Sequence, residues 1–366
     1  MTKPQVHFHG SDLEKIAAAY DIPKEAIINF SSNVNPLGLS AHILEFLPKK
    51  IELIASYPDR DYTNLRKTIG EYVHCNPETI MVGNGSTELI SLGIKAIAPK
   101  KAVIIGPTYS EYEREITLLG GSSTYYSLKE TLDFKLDHEN LLEVLTQEID
   151  LLVICNPNNP TSTAIRHSVM KELLTACEAL QIFVMIDETY VEFSEDIEDV
   201  TAIPLTESFE QLMVIRGVSK FFAAPGLRLG YAICKCKKHF DRINTLKNPW
   251  TINALAAYAG ELLLKDDAYI LKTKAFMAAE RRKIVDTLSS WKCVKFYEPV
   301  ANFVLVKLLT ESITSRDLFE KLLQKQLMIR DASSFDALDS HYFRFCFLKS
   351  EENELLLKAL EEILQS

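Results

Sequence analysis

Three apolar runs in the middle of the chain are followed at once by side chains suited to catalysis. Asn159 lies in the turn after the first run, Asp187 directly follows the second, and Lys220 comes shortly after the third. Tyr190 stands just beyond Asp187. Together these groups suit an aromatic nitrogen heterocycle that carries an aldehyde. The carboxylate keeps the ring nitrogen protonated, the amide and the phenol hold a ring oxygen, and the lysine condenses with the aldehyde.

Each of these residues alone has an ordinary explanation. An aspartate at the end of a strand most often caps a turn or a helix, and segments rich in Asn and Pro, such as 156–160, are most often turns. A lone lysine is nearly always a solvated surface charge. The order and spacing of the groups, one after each run, favour a shared site over separate coincidences.

Two further segments could bind a phosphate group. Ser86 and Thr87 lie in a glycine-rich stretch, residues 83–88, just before an apolar helical segment. A glycine-rich turn that opens a helix presents free backbone amides and the positive end of the helix dipole to an anion. Ser219 and Arg228 lie on either side of the candidate lysine, and an arginine offers a bidentate fork that suits phosphate.

The elements that position these residues are predicted by an alternation of two patterns. Short β-branched or apolar runs alternate with segments of helical spacing such as His167–Leu180. The runs are Ala102–Ile105, Leu151–Cys155, Phe183–Ile186, Met213–Ile215 and Leu229–Ile233. The alternation predicts an α/β fold with a mostly parallel sheet and helices on both faces. Ligands of such sheets bind beyond the carboxyl ends of the strands, where the candidate residues lie.

The last third of the chain has a different pattern, in which long helical stretches lead into short strands. The predicted helices cover 253–264, 268–290, 315–325 and 351–365, and the predicted strands 302–307, 327–330 and 342–347. This α+β pattern places a domain boundary near residues 247–249. We therefore expect a large domain over residues 45–247. An N-terminal arm, residues 1–44, would join residues 248–366 in a smaller domain.

Composition excludes several classes of partner. The chain has 366 residues, with Lys+Arg 40 against Asp+Glu 50 and a formal net charge of −10, which argues against binding to a nucleic-acid backbone. No apolar run approaches the roughly 18 residues of a membrane span. The first ten residues lack the apolar stretch of a secretory signal. The seven cysteines are scattered, which we interpret as reduced thiols in a cytoplasmic protein.

In order and spacing, the motifs resemble the fold-type I pyridoxal-phosphate enzymes of the aminotransferase superfamily, nearly end to end. The segments that carry the resemblance are Asn158–Thr161, Asp187–Tyr190 and Ser219–Arg228. It implies a three-layer α/β/α large domain with a mostly parallel sheet, a smaller α+β domain, and pyridoxal phosphate as the cofactor. It also implies that Lys220 forms the Schiff base with the cofactor and later moves protons at Cα.

The resemblance also implies which residues hold each part of the cofactor. Those at the ring are Asp187 on the pyridine nitrogen, Asn159 and Tyr190 on the ring hydroxyl, and Tyr109 stacked on the ring. Those at the phosphate are Ser86, Thr87, Ser219, Arg228 and, from the neighbouring subunit of a homodimer, Tyr57.

Two families of the superfamily are closest, the threonine-phosphate decarboxylases of cobalamin side-chain synthesis and the histidinol-phosphate aminotransferases. Longer segments favour the decarboxylases. They are His9-Gly10, Phe30–Gly38, Tyr57–Tyr62, Lys220–Tyr231, Pro249–Ala256 and Leu338–Arg344. We therefore expect decarboxylation of an O-phospho-L-amino acid, with phosphothreonine or phosphoserine as the substrate. The alternatives are transamination of histidinol phosphate with a 2-oxo acid and a non-catalytic module that binds the cofactor.

The substrate residues implied by this resemblance are Arg330 and Arg344 at its anionic groups, with His9, Gly10 and Asn33 of the arm at its phosphate. Without the resemblance, the two arginines could equally belong to surface or interface ion pairs. Decarboxylation and transamination differ in which bond at Cα is held perpendicular to the cofactor ring. The placement of the substrate's anionic groups therefore decides between the two reactions.

Four positions depart from the usual pattern of these families. Gly217 replaces a Ser or Thr, so that one donor to the cofactor phosphate is expected to be missing. Ser162 replaces a Gly, Thr189 replaces an Ala, and Ser11 replaces the second glycine of the arm motif.

The stretch Cys234–His239 has the residue types of a metal site, but no second Cys/His pair stands near it in the sequence. We therefore interpret these cysteines as strand-end thiols and expect no metal.

Overall fold

Helices and short strands alternate along most of the chain, which a computed structural model describes from Asp12 to Gln365. The helices are α1 (Leu13–Tyr20), α2 (Ala41–Phe46), α3 (Thr63–Val73), α4 (Gly85–Ile97), α5 (Glu111–Leu118), α6 (His138–Val144), α7 (His167–Leu180), α8 (Lys237–Leu246), α9 (Ala254–Leu264), α10 (Asp267–Ser289), α11 (Ser315–Gln324) and α12 (Ser350–Leu364). The strands are β1 (Ile28–Asn29), β2 (Ile80–Asn84), β3 (Lys101–Gly106), β4 (Ser122–Ser127), β5 (Leu151–Cys155), β6 (Phe183–Asp187), β7 (Leu212–Gly217), β8 (Leu229–Ile233), β9 (Val294–Phe296), β10 (Phe303–Leu308), β11 (Leu327–Met328), β12 (Arg330–Asp331) and β13 (Tyr342–Cys346). Among these elements, no helix is both long and apolar enough to cross a membrane.

A seven-stranded sheet with the order β2-β8-β7-β6-β5-β3-β4 forms the centre of the fold. Its side chains alternate between two apolar clusters, since Met185 belongs to one cluster and its neighbours Val184 and Ile186 to the other. Helices α4, α5 and α8 cover one face, and α3, α7 and α9 cover the opposite face. The predicted three-layer α/β/α architecture is therefore confirmed.

The direction of the strands brings several chain segments to one edge of this sheet. Strands β2, β3, β5, β6 and β7 all end there, and we refer to it as the site edge. Strand β8 runs antiparallel to both β2 and β7, so its first residue rather than its last lies at the site edge. Residues directly before β8 are thereby placed beside residues that follow the other strands.

The C-terminal part forms a separate four-stranded antiparallel sheet in the order β12-β13-β10-β9. The predicted strand at 327–330 is divided between two sheets, because β11 pairs in parallel with β1 near the N-terminus, whereas β12 pairs with β13. The predicted boundary near residues 247–249 lies between α8 and α9, and α9 packs against α3 and β8. The division into two domains stays a prediction.

A buried ion pair lies directly behind the site edge. Arg216 on β7 donates from Nε to Oε2 of Glu188 at 2.9 Å, and Thr201 donates its hydroxyl to the same oxygen at 2.9 Å. Glu192 is also buried, with its Oε1 3.9 Å from Arg216, and its carboxylate oxygens have no hydrogen-bond partner among the described residues. Burial raises the pKa of Glu192 to about 7, and the charge of Arg216 opposes this rise.

Replacing Glu192 with glutamine is expected to remove a pH-dependent loss of stability. The raised pKa means that the folded chain retains a proton that the unfolded chain releases between pH 4.5 and pH 7, so Glu192 lowers the free energy of unfolding as the pH rises through that window. Relative to the parent, E192Q should be unchanged near pH 4 and more stable by about 3 kcal/mol at pH 8. Urea unfolding across this range measures the difference. The exposed Glu143→Gln on α6 serves as the control, and a difference for E192Q that does not vary with pH would contradict the expectation.

Candidate active site

Lys220 lies at the site edge, in the connection between β7 and β8. Its side chain is half-buried, and Nζ donates to the backbone carbonyl of Ser32 at 2.6 Å. Burial lowers the pKa of Lys220 to about 8, and the positive charge of Arg344 lowers it further in the same direction. A lysine with a lowered pKa has a larger neutral fraction at physiological pH, which makes it both a nucleophile and a base.

Asp187, the last residue of β6, is buried at the site edge. Its Oδ1 accepts hydrogen bonds from the backbone N–H and the hydroxyl of Thr189, at 2.9 Å and 2.5 Å. Its Oδ2 accepts one from the hydroxyl of Tyr112 at 2.7 Å. Burial raises the pKa of Asp187, and these donors act against the rise because they stabilise the carboxylate.

Asn159 and Tyr190 each meet a residue of the predicted substrate site. The Asn159 side-chain oxygen accepts a short hydrogen bond from the guanidinium of Arg344. The Tyr190 hydroxyl accepts one from the Asn33 amide at 3.3 Å, and Asn302 donates to the backbone carbonyl of Asn33 at 3.1 Å. Two of the predicted cofactor residues, Asn159 and Tyr190, are thus in contact with two of the predicted substrate residues, Arg344 and Asn33.

The N-terminus of α4 and Arg228 form a cradle at the site edge. Gly85, with φ +78°, allows the close approach of Arg228, since a side chain at this position would collide with the guanidinium. A Cβ added at Gly217 would lie 3.7 Å from Oγ of Ser86, which brings the end of β7 to the same place. The free amides of a helix N-terminus, its dipole and an arginine fork make a site for a phosphate dianion.

Tyr109 and Thr87 lie beside this cradle, and Ser219 is half-buried immediately before the lysine. Burial raises the pKa of the Tyr109 phenol, whereas a hydrogen bond with the Thr87 side chain and the charge of Arg228 lower it. The Tyr109 ring packs edge-to-face on Tyr112, with 5.7 Å between the ring centroids. The phenol is therefore next to both the cradle and the Asp187 carboxylate.

Arg330 and Arg344 are direct partners in the register of β12 and β13. Arg344 is 4% exposed, donates to the carbonyl of Ser31 at 2.8 Å, and packs over the ring of Phe303 at 5.2 Å. Arg330 donates to the hydroxyl of Ser334 at 2.6 Å, and burial together with the charge of Arg344 lowers its pKa to about 10. The carboxylates of Asp331 and Asp12 oppose this lowering of the pKa of Arg330. Two adjacent guanidinium groups repel each other, and anionic groups of a ligand would relieve that repulsion further.

Tyr57 stands apart from these residues. It is 80% exposed and packs against Trp250, with 4.9 Å between the ring centroids, and not against the cradle. His9, Gly10 and Ser11 lie outside the described residues. Within residues 12–365, no three His, Cys, Asp or Glu side chains are grouped so that they could hold a metal ion. Cys234 is buried directly after β8.

Several residues that complete the site were missed by sequence reasoning. Tyr112, Ser31, Ser32 and Phe303 contact Asp187, Arg344 or Lys220. Tyr112 and Phe303 stand in no motif that carries the resemblance. Ser31 and Ser32 lie within the segment Phe30–Gly38, but the resemblance implies a role there for Asn33 alone, so these contacts were not predicted. The sequence marks Thr189 only as a departure from the usual alanine.

The arrangement fits a phosphorylated pyridine aldehyde. A lysine of lowered pKa faces the sheet edge, a buried carboxylate lies near it, and a phosphate cradle closes one end. Oγ of Ser31, Oδ1 of Asn33 and Nε of Arg344 are buried and have no hydrogen-bond partner among the described residues. Unpaired buried polar atoms in one place are typical of a site whose ligand supplies the missing partners.

Comparison with known proteins assigns most of the chain to one family. A profile of the family "aminotransferase class I and II" matches residues 25–360. A protein of Caldanaerobacter subterraneus subsp. tengcongensis that carries the provisional name threonine-phosphate decarboxylase is 39% identical, over 90% of this chain and 88% of its own. The threonine-phosphate decarboxylase of Salmonella typhimurium is 31% identical, over 97% of this chain and 96% of its own. The crystal structure of histidinol-phosphate aminotransferase from Clostridium acetobutylicum superimposes with a TM-score of 0.86 at 32% identity, covering 92% of this chain and 98% of that one.

Proposed function

We propose that this chain, which belongs to the aminotransferase class I and II family and is a pyridoxal-phosphate enzyme, decarboxylates an O-phospho-L-amino acid. The observation that carries the proposal is the pair Arg330 and Arg344, which are adjacent in register, with the charge of Arg344 acting on Lys220. A phospho-amino acid presents two anionic groups, a carboxylate and a phosphate, to these two guanidinium groups. Histidinol phosphate presents only one, and the 2-oxo acid of that reaction would bring its carboxylate in a separate step. A phospho-amino acid matches both guanidinium groups at once, and the two decarboxylase relatives support the same choice.

In this proposal the cofactor is held by the residues of the site edge. Asp187 binds the ring nitrogen, Asn159 and Tyr190 bind the ring hydroxyl, Tyr109 packs on the ring, and Ser86, Thr87, Ser219 and Arg228 bind the phosphate. The bound cofactor withdraws electrons from Cα of the amino acid. Asp187 supports this withdrawal because its carboxylate stabilises a proton on the ring nitrogen.

In the proposed reaction the two arginines bind the substrate and Lys220 transfers the proton. Arg330 and Arg344 hold the carboxylate and the phosphate of the substrate, so that the bond from Cα to the carboxylate is the one that breaks. Carbon dioxide leaves, and Lys220 delivers one proton to Cα in its place. A lysine with a pKa near 8 can supply that proton and recover it at physiological pH. Asn33, with His9 and Gly10 of the arm, completes the pocket at the substrate phosphate.

The product of this reaction would be a phosphorylated amino alcohol, aminopropanol phosphate from phosphothreonine or ethanolamine phosphate from phosphoserine. Such an amine serves as the linker of the cobamide nucleotide loop. One methyl group separates the two substrates, and a methyl group changes binding by only about 1–3 kcal/mol. We therefore expect the enzyme to accept both at different rates.

A homodimer in the cytoplasm is part of the same proposal. Several large apolar side chains are exposed on neighbouring segments, and a second copy of the chain would cover them. They are Leu44, Ile51, Ile54, Tyr57 and Trp250. Such a dimer would carry Tyr57 to the cofactor phosphate of the partner subunit. All seven cysteines are unpaired, as is usual in a reducing compartment.

Product analysis tests the proposed reaction. Purified enzyme loaded with pyridoxal phosphate is mixed with O-phospho-L-threonine or, separately, with O-phospho-L-serine, and no 2-oxo acid is added. Catalytic release of equal amounts of carbon dioxide and the phosphorylated amine is expected from at least one substrate. The same reaction with the Lys220→Ala enzyme measures the uncatalysed background.

Two other outcomes would each assign this chain a different function. No carbon dioxide from either substrate, together with transfer of the amino group from histidinol phosphate to a 2-oxo acid, would establish an aminotransferase. Binding of the cofactor without turnover of any of these compounds would establish a non-catalytic module. The overall resemblance to the decarboxylases would then reflect ancestry alone.

Restoring a hydroxyl at residue 217 is expected to tighten cofactor binding. A Cβ at Gly217 would make only ordinary contacts, 3.6 Å to the Leu229 carbonyl and 3.7 Å to Ser86, so that a serine fits. Gly217→Ser would add one hydrogen bond to a charged phosphate and lower the dissociation constant of pyridoxal phosphate about tenfold. Fluorescence titration of the apoenzyme measures this constant. Gly217→Ala is the matched control, and equal affinities of the serine and alanine variants would refute a contact with the phosphate.

A further inference from the structure

The carboxylate of Asp187 accepts three hydrogen bonds, one from the backbone and two from side chains. The bond from the backbone N–H of Thr189 belongs to the turn itself and would form with any residue at position 189 except proline. The Thr189 hydroxyl at 2.5 Å and the Tyr112 hydroxyl at 2.7 Å are additional side-chain donors, and they approach opposite oxygens. Both side chains are buried, so neither hydroxyl is there to contact water.

Counting acceptor positions shows what remains for a ligand. An ionised carboxylate offers about four lone-pair positions, two on each oxygen. Oδ1 of Asp187 uses both of its positions for Thr189, and Oδ2 uses one for Tyr112. One position, on Oδ2, therefore remains for a donor from outside the protein.

We propose that Thr189 and Tyr112 are positioning residues that fix the orientation of the Asp187 carboxylate and keep it ionised, so that Oδ2 alone accepts the ring N–H of the cofactor. The proposal requires that the chain bind pyridoxal phosphate, and it is independent of whether the reaction is decarboxylation or transamination. An alanine at residue 189 could supply the backbone N–H but no hydroxyl. The threonine of this chain therefore adds a stabilising contact on the side of the carboxylate that faces away from the ring.

The surroundings of Asp187 show why ionisation needs support. Burial raises its pKa, and the groups that face it are the phenols of Tyr109 and Tyr112 from the β3–α5 segment, the thiol of Cys155 at the end of β5, and the phenol of Tyr190. Burial raises the pKa of all four groups, so they stay neutral and give the carboxylate no balancing positive charge. Hydrogen-bond donors are thus the means by which this chain opposes the cost of burying the charge.

The test uses the holoenzyme without substrate. Thr189→Val keeps the shape of the side chain and removes its hydroxyl, Tyr112→Phe does the same for the second donor, and Thr189→Ser keeps a hydroxyl. Without the Thr189 hydroxyl the carboxylate is a stronger base, so the proton shared with the ring nitrogen moves toward Asp187. The ring then carries less positive charge, and the Lys220 nitrogen linked to the cofactor holds its own proton to higher pH.

We therefore expect the visible band of the bound cofactor to persist to higher pH in Thr189→Val, by about one pH unit, and in Tyr112→Phe by a similar amount. The dissociation constant of pyridoxal phosphate should rise about tenfold in each. Thr189→Ser should restore both values. Thermal unfolding of the apoenzymes shows whether a variant is merely misfolded.

Two results would overturn the proposal. One is an unchanged titration of the visible band in both Thr189→Val and Tyr112→Phe. The other is a Thr189→Ser variant as defective as Thr189→Val, which would show that packing rather than the hydroxyl matters. A parent enzyme that never develops the visible band would refute cofactor binding itself, which is a separate failure.

Discussion

Replacing Lys220 with alanine should abolish turnover and, with it, the visible absorption of the bound cofactor. Lys220 provides a nucleophilic amine with a lowered pKa at the site edge. Its loss removes both the covalent attachment of the cofactor and the group that returns a proton to Cα. General acid–base catalysis alone contributes about a hundred- to ten-thousandfold, so the rate should fall at least a thousandfold. Absorbance spectra and single-turnover assays measure the two effects.

The Lys220→Arg variant distinguishes loss of the positive charge from loss of the reactive amine. An arginine keeps the positive charge near the Ser32 carbonyl but cannot be deprotonated or condense with an aldehyde. It should therefore be as inactive as the alanine variant. Turnover in either variant within tenfold of the parent would exclude Lys220 as the catalytic residue.

Replacing Arg330 with glutamine should lower kcat/KM about a thousandfold and leave the cofactor spectrum unchanged. Arg330 is the better choice of the pair, because Arg344 also holds Asn159 and the Ser31 carbonyl, and its loss would disturb both. Removing one partner of a buried, hydrogen-bonded charge pair costs about 4 kcal/mol. Initial rates with O-phospho-L-threonine give kcat/KM. The exposed Arg282→Gln on α10 is the control for a simple change of charge.

A substrate without a phosphate identifies which anionic group Arg330 holds. If Arg330 binds the phosphate, R330Q should lose little further activity toward free L-threonine, because the partner of the arginine is already missing. If it binds the carboxylate, the variant should lose activity toward both compounds equally. An R330Q enzyme with parental kcat/KM for phosphothreonine would remove Arg330 from the substrate site.

The α/β core was predictable because its strands are buried on both faces. The runs at 151–155 and 229–233 coincide with β5 and β8, and the helix His167–Leu180 coincides with α7. The edge strand β4 was not found, since Ser122–Ser127 is polar and partly exposed and has no apolar run. Strand β2 was partly read as a turn, because Gly83 and Asn84 continue the strand up to the first residue of α4. Local composition is a poor predictor of such short strands, because their stability comes from pairing with neighbouring strands.

The site was predictable to the extent that its residues follow strands. Asp187, Asn159 and Lys220 could be placed together because parallel strands end at one edge. The adjacency of Arg330 and Arg344 depends on the register between β12 and β13, which no spacing along the chain reveals. The donors Thr189 and Tyr112 depend on side-chain direction, which is likewise visible only in three dimensions.

Because β8 runs against its neighbours, Lys220 and Arg228 lie on a connection between two strands that pair with each other. Other contacts of this cofactor half of the site join segments at intermediate separation, such as the bond from Tyr112 to Asp187 across 75 positions. The substrate half is closed by contacts between distant segments, such as the bond from Arg344 to Ser31 across 313 positions. Local contacts form sooner than those that close long loops. A chain emerging from the ribosome would thus assemble its cofactor half first, and it could capture the cofactor before its last residues make it able to select a substrate.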